Sequence, residues 1–358
     1  MKIIKDSGAK QAGAHSLFVL ITVASLAITA SACADRNSSS STSTSASKVD
    51  LSPESVRPLV IAAADFELPI IAKSQSELPV TVKSADDQTV TITDTSRIIV
   101  LNDAIAEIVI SLGFLKNIIG RDATTTLEML KPIPKVSSGH DVSAESVLAL
   151  SPTLVIGDTR SGPPEAMQQL RGAGLAILLT PEVWQLSEIA PRITLLAEAL
   201  GVAASGKKLL EETQAKIDQA LNQATVNKIN PRVAFLYVRG TASVFLLGGE
   251  GSGADEMIRA AGGIDVGTDL GLASFTPLTT EAIVKANPDI IIVLTLGLKS
   301  VGGIDGLLAL PGIAQTPAAK TRAVIAVDDE LLFSFGPRTG SLIVYLAQSF
   351  DTLMTANK

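Results

Sequence analysis

A short pattern written twice does most to limit what this chain can fold into. VSAESVLALSPTLVI (residues 142–156) aligns without a gap to LTTEAIVKANPDIII (278–292). In each copy a hydroxyl residue, Ser143 or Thr279, stands where its oxygen can accept from a helix N–H and cap the first turn. A glutamate follows two residues later (Glu145, Glu281), a proline ends the helix (Pro152, Pro288), and a β-branched run comes next. A capped helix feeding a buried strand is half of a β/α unit, so two copies call for two α/β units of the same kind. A carboxylate in a first turn favours the helix dipole by a few tenths to about 1 kcal/mol, which is one reading of the glutamates. Their matched placement also makes them two equivalent acidic knobs, one per unit.

The rest of the chain agrees. LPVTVKSADDQTVTIT (78–93) alternates around a polar turn and reads as a hairpin. Strand candidates at 97–101, 117–120, 153–157 and 176–180 alternate with helical patterns at 103–112, 143–150, 164–172 and 187–200. VAASGKKLLEETQAKIDQALNQATVN (202–227) breaks that rhythm as one long amphipathic helix, with Leu209, Leu210, Ile217 and Leu221 near helical spacing. After Pro231 the alternation resumes, with strand candidates at 232–238, 243–248, 289–295 and 323–327. The expected class is α/β: two Rossmann-like lobes joined by a single long helix. The expected divisions are 79–203 for the first lobe, 204–228 for the helix and 229–358 for the second lobe.

The N-terminus has the order of an export signal, residues 1–32. Lys2, Lys5 and Lys10 precede an apolar run, LFVLITVASLAIT, and small residues lead to Cys33. Cys33 is the only cysteine, so it has no disulfide partner within the chain. This arrangement resembles a bacterial lipobox, although Ala30 stands where leucine is usual. The resemblance implies a diacylated Cys33 and a lipid anchor on the extracytoplasmic face of the membrane; the other reading is an uncleaved anchor. The Ser/Thr-rich stretch at 35–47 reads as a tether. Residues 48–78 mix short apolar runs with prolines and carry no assignment.

The formal charge of −7 argues against nucleic acid as a partner, because phosphate binding needs a basic footprint. Sequence signatures of common enzymes, G-x-S-x-G, a P-loop with lysine and H-E-x-x-H among them, do not occur. Rare residues then stand out. His140 is the only histidine after the export signal, and Tyr237 is one of two tyrosines. Tyr237 and Arg239 are spaced i, i+2 on an expected strand, so both project from one face while Val238 points the other way. That spacing suits an arginine hydrogen-bonding the phenol oxygen. Each residue also has an ordinary structural alternative: a loop histidine, a core-edge tyrosine, a surface arginine.

With these features in hand, the chain over roughly 79–355 resembles type III (cluster A) substrate-binding proteins of ABC importers. More narrowly, it resembles haem-binding lipoproteins of the HmuT type. That narrower resemblance rests on GRD (120–122), GHDVSAE (139–145), FLYVRG (235–240), GEGSGAD (249–255), SVGGIDGLLALPG (300–312) and SFGPRTG (334–340). It implies a type III periplasmic-binding-protein fold and haem b (hemin) as the transported ligand. His140 and Tyr237 become the axial iron ligands, and Arg239 supports the tyrosine. Glu145 and Glu281 become docking points for the permease, which works with its own ATPase. A monomeric binding protein, not an enzyme, follows.

The chemistry suits that ligand set. Imidazole and phenolate both serve as haem ligands, and a neighbouring cation stabilises a phenolate. Arg121 and Arg160 are candidate partners for the propionates, and Phe245 and Phe275 for the porphyrin face. No methionine lies in 295–301 as a substitute iron ligand. A single stiff helix between lobes implies limited closure on the ligand. Two alternatives stay open: a ferric siderophore or cobalamin carrier of the same fold, and a bilobal metallochelatase-like enzyme.

Overall fold

The computed structural model describes residues 59–139, 141–226 and 229–356. The export signal, Cys33, the tether and His140 lie outside the described residues. Strands are β1 (Leu59–Ile61), β2 (Val80–Lys83), β3 (Thr89–Ile92), β4 (Ile98–Val100), β5 (Ile118–Arg121), β6 (Ser137–Ser138), β7 (Asp141–Val142), β8 (Leu154–Asp158), β9 (Ala176–Thr180), β10 (Arg232–Arg239), β11 (Val244–Gly248), β12 (Ile264–Asp265), β13 (Phe275–Pro277), β14 (Ile290–Leu294) and β15 (Val324–Val327).

The strands assemble into two main sheets. The smaller, four-stranded sheet runs β5-β4-β8-β9 with all neighbours parallel. The larger has seven strands, ordered β1-β15-β14-β10-β11-β13, with β12 alongside β10. Its middle is parallel, whereas β11 and β13 run antiparallel at one side. The 78–93 hairpin forms as the alternation requires, with Val80 opposite Ile92, and its β3 side lies against β9. The α/β expectation is thus borne out, and β8 and β14, the strands that follow the two repeats, are buried along their whole length.

Between the sheets runs the long helix Ala203–Val226. It buries Leu209 and Ile217, with Leu210 and Leu221 partly covered. The C-terminal helix Thr339–Ala356 packs against it, and Gly340 is what lets the two backbones meet. A Cβ there would lie 2.7 Å from the Lys216 carbonyl carbon and 2.8 Å from the Ile217 nitrogen.

The unassigned segment supplies a second link between the sheets. β1 adds to the larger sheet as an edge strand, pairing Leu59 with Ile325. The chain then returns towards the smaller sheet: the Ile71 N–H donates to Ser111 O and the Glu77 N–H to Gly201 O, both at 2.8 Å.

Each sheet has an outer core of its own. One collects Ile99, Val155 and Ile177, the other Leu236, Ile291 and Val324. The inner faces merge into one continuous core holding Val100, Leu154 and Leu178 from the smaller sheet and Phe235, Ile290 and Ile325 from the larger. Polar ties reinforce the seam. Arg338, just ahead of the C-terminal helix, is 3% exposed and donates from Nη2 to Glu107, a wholly buried residue of the helix Asp103–Ser111. Its Nη1 donates to Ala63 O at 3.1 Å. Arg192 donates to Ser334 O at 3.2 Å. Burial pulls the Arg192 guanidinium down to about 10, while the Asp158 carboxylate acts to hold it up.

Candidate functional site

The residues with the richest chemistry gather where β10 ends. Parity along β10 decides which side chains meet. Val233 and Phe235 enter the inner core, and Val238 is fully buried on the opposite face. Tyr237 and Arg239 therefore share the inner face at the strand's C-terminal end, each half-buried. Ligand sites of α/β sheets collect beyond such ends.

Two groups flank Tyr237. Phe275 of β13 meets it edge-on, with ring centroids 6.0 Å apart at 72°. Such tilted pairs place a positive ring edge against a negative face. The Arg239 guanidinium carbon sits 4.5 Å from the Tyr237 ring centroid, within cation–π range. The guanidinium itself is held by two acceptors: Nη1 donates to Val238 O and Nη2 to Asp329 Oδ1, each at 2.9 Å. Among the described residues no hydrogen bond joins Arg239 to the Tyr237 oxygen. The expected arginine–phenol bond is thus replaced here by a face contact, because Asp329 competes for the donor.

Sequence reasoning did not single out Asp329. It begins the short helix Asp329–Leu332, and its other oxygen, Oδ2, accepts from Thr295 Oγ1 at 3.1 Å and from the Leu296 N–H at 3.0 Å. The helix Thr295–Ser300 has Leu294 at its N-cap and no capping side chain of its own, so Asp329 caps it from outside. Gly297 in that helix makes room for the cluster. A Cβ there would lie 2.8 Å from Val238 O and 3.2 Å from Arg239 Nη1. The only available signal was DD at 328–329 after a buried strand, and nothing local ties it to residue 239.

The other named residues fall in different places. Phe245 lies opposite Val238 in the β10–β11 register and packs into the outer core, on the far face from Tyr237. It is corrected from a porphyrin contact to a core residue, because cross-strand partners share a face. Arg121 is also corrected. It is 6% exposed, and it donates from Nε to Leu130 O at 2.9 Å and from Nη1 to Thr125 O at 2.6 Å and Asp122 O at 3.3 Å. Buried donors need such partners, and here they staple the 122–130 loop rather than await a carboxylate.

Arg160, at the end of β8, is exposed. It pairs with Asp158 at 2.9 Å and lies 5.4 Å from the Trp184 ring centroid. Trp184 in turn meets Phe333 at 6.1 Å, in the turn just after residue 332.

His140 itself is not described, but its flanks are. β6 and β7 pair antiparallel, with Ser138 opposite Asp141. Gly139 has φ +60 and open space around it, the conformation glycine adopts without strain. Ser143 accepts from the Ser146 N–H, and Thr279 accepts from the Ala282 N–H, so both repeat copies start with the expected cap. Glu145 and Glu281 are exposed in those first turns.

Comparison with known proteins gives one consistent picture. The family model described as "Periplasmic binding protein" matches residues 98–331. The periplasmic heme-binding protein RhuT from Roseiflexus sp. RS-1, solved in apo form, is 40% identical, with 73% of this chain and 99% of that chain covered at a TM-score of 0.70. The heme binding protein HmuT is 31% identical, with 82% and 97% covered at a TM-score of 0.75. Variants of HmuT have been solved with alanine at a tyrosine, at a histidine and at the arginine two positions after that tyrosine. The ABC transporter substrate-binding lipoprotein YvrC of Bacillus subtilis (strain 168) is 28% identical over 261 residues, 72% of this chain and 80% of that protein. Two α/β sheets with their seam core, a doubled cap–glutamate–strand unit and these matches converge: the chain belongs to the periplasmic binding protein family.

Proposed function

We propose that this protein is an extracytoplasmic lipoprotein that captures haem and delivers it to an ABC permease, without catalysing a reaction. The observation that carries the reading is Tyr237 at the C-terminal end of β10, flanked by Arg239 at 4.5 Å and Phe275 at 6.0 Å. A phenol beside a cation is a good ligand for ferric iron, and an aromatic edge beside it suits a flat macrocycle. The i, i+2 tyrosine–arginine spacing equals that of the two residues replaced in the HmuT variants. His140, which lies in sequence ahead of the first repeat, supplies the second axial ligand. Arg160, exposed and paired at one nitrogen with Asp158, is the candidate partner for a propionate, and Cys33 carries the lipid. Glu145 and Glu281 dock on the permease.

Hemin titration of the purified protein tests this. A stoichiometric Soret band is expected, altered in both Tyr237→Ala and His140→Ala. A spectrum indifferent to Tyr237→Ala would remove the tyrosine from the site. Turnover of protoporphyrin with ferrous iron would make the protein an enzyme instead.

A further inference from the structure

We propose that Asp329 is a positioning residue that tunes cargo release by competing with the Tyr237 phenolate for Arg239. This rests on the haem-binding reading above. Three observations carry it. Arg239 gives Nη2 to Asp329 Oδ1 at 2.9 Å and Nη1 to Val238 O at 2.9 Å, and it lies across the tyrosine ring with no hydrogen bond to the phenol oxygen. Asp329 is anchored by a separate pair of donors, Thr295 Oγ1 and the Leu296 N–H, both on Oδ2. Gly297 keeps the helix carrying those donors close enough to touch Arg239.

The consequence is electrostatic. A phenolate bound to ferric iron is stabilised by a nearby cation and opposed by a nearby carboxylate. Asp329 offsets part of the Arg239 charge and occupies one of its best donors. The tyrosine–iron bond is thereby held weaker than an unopposed arginine would make it. A carrier must release what it binds, and this pair sets where that balance falls.

The two Asp329 oxygens have separate duties, which makes a clean variant available. In Asp329→Asn the amide oxygen still accepts from Thr295 and Leu296, so the helix cap survives. The amide NH₂ turned towards Arg239 can neither accept its donor nor oppose its charge. Hemin transfer from the loaded protein to excess apomyoglobin is expected to slow on the order of fivefold, the scale of a partly solvated charge pair. The tyrosinate-to-iron charge-transfer band should shift with it. Asp329→Glu, which keeps the charge, should transfer at close to the wild-type rate.

Unchanged or faster transfer in Asp329→Asn would overturn the proposal, since a merely structural anchor would loosen Arg239 and speed release. If the wild-type protein shows no Soret band, or Tyr237→Ala leaves spectrum and rate untouched, the haem-binding reading falls and this proposal with it.

Discussion

At the scale of single residues, the site depends on one fit that no sequence pattern announces. Gly297 leaves Arg239 just enough room. Its substitution by alanine would put a methyl 2.8 Å from a backbone oxygen and 3.2 Å from the guanidinium, closer than Cβ atoms normally come. Gly297→Ala is therefore expected to push Arg239 from its seat and alter the hemin spectrum. Global stability should change by roughly 1 to 3 kcal/mol, the usual cost of overpacking. Matched hemin titrations and urea unfolding curves check both parts.

What could be read at this scale was parity, and what could not was partnership. Tyr237, Val238 and Arg239 fell on the expected faces because side chains alternate along a strand. The same rule would have removed Phe245 had the β10–β11 register been known, since Phe245 sits opposite Val238. Arg121 misled because an arginine in a sequence says nothing about whether carbonyls will claim it. The Arg239–Asp329 pair joins residues 90 positions apart, so neither flank contains the other's signal.

Among the elements, the doubled cap was the most legible feature of the chain. Ser143 and Thr279 both cap as the local code demands, because capping depends on residues within one turn. Long apolar runs such as IIIVL and VIAV became strands in place for a related reason: complete burial requires no alternation to recognise. β1 escaped notice because its three residues carry almost no local preference. It exists only by pairing with β15, far along the chain.

The exposed glutamates of the two capped turns lead to a test at this scale. Charge reversal of both (Glu145→Lys with Glu281→Lys) should leave hemin binding unchanged. It should sharply reduce hemin-stimulated ATPase activity of the reconstituted importer. Rim charges govern encounter and register, so the loss should ease as salt is raised. Normal stimulation by the double variant would reduce the pair to helix-dipole stabilisers.

For the molecule as a whole, the inner faces of the two sheets share a single core rather than meeting as separate bodies. The Arg338–Glu107 pair lies in that seam, nearly inaccessible to water. Among the described residues two links cross between the sheets, the long helix and the 62–79 return, and both lie against this seam. Taking away one member of a buried ion pair strands the other charge, at a cost of about 3 to 5 kcal/mol.

A core common to both sheets means neither has an independent melting temperature. Heating should give one heat-capacity peak, with calorimetric and van't Hoff enthalpies equal. Arg338→Met should move that peak down in temperature without splitting it. Two resolved peaks would show instead that each lobe melts on its own.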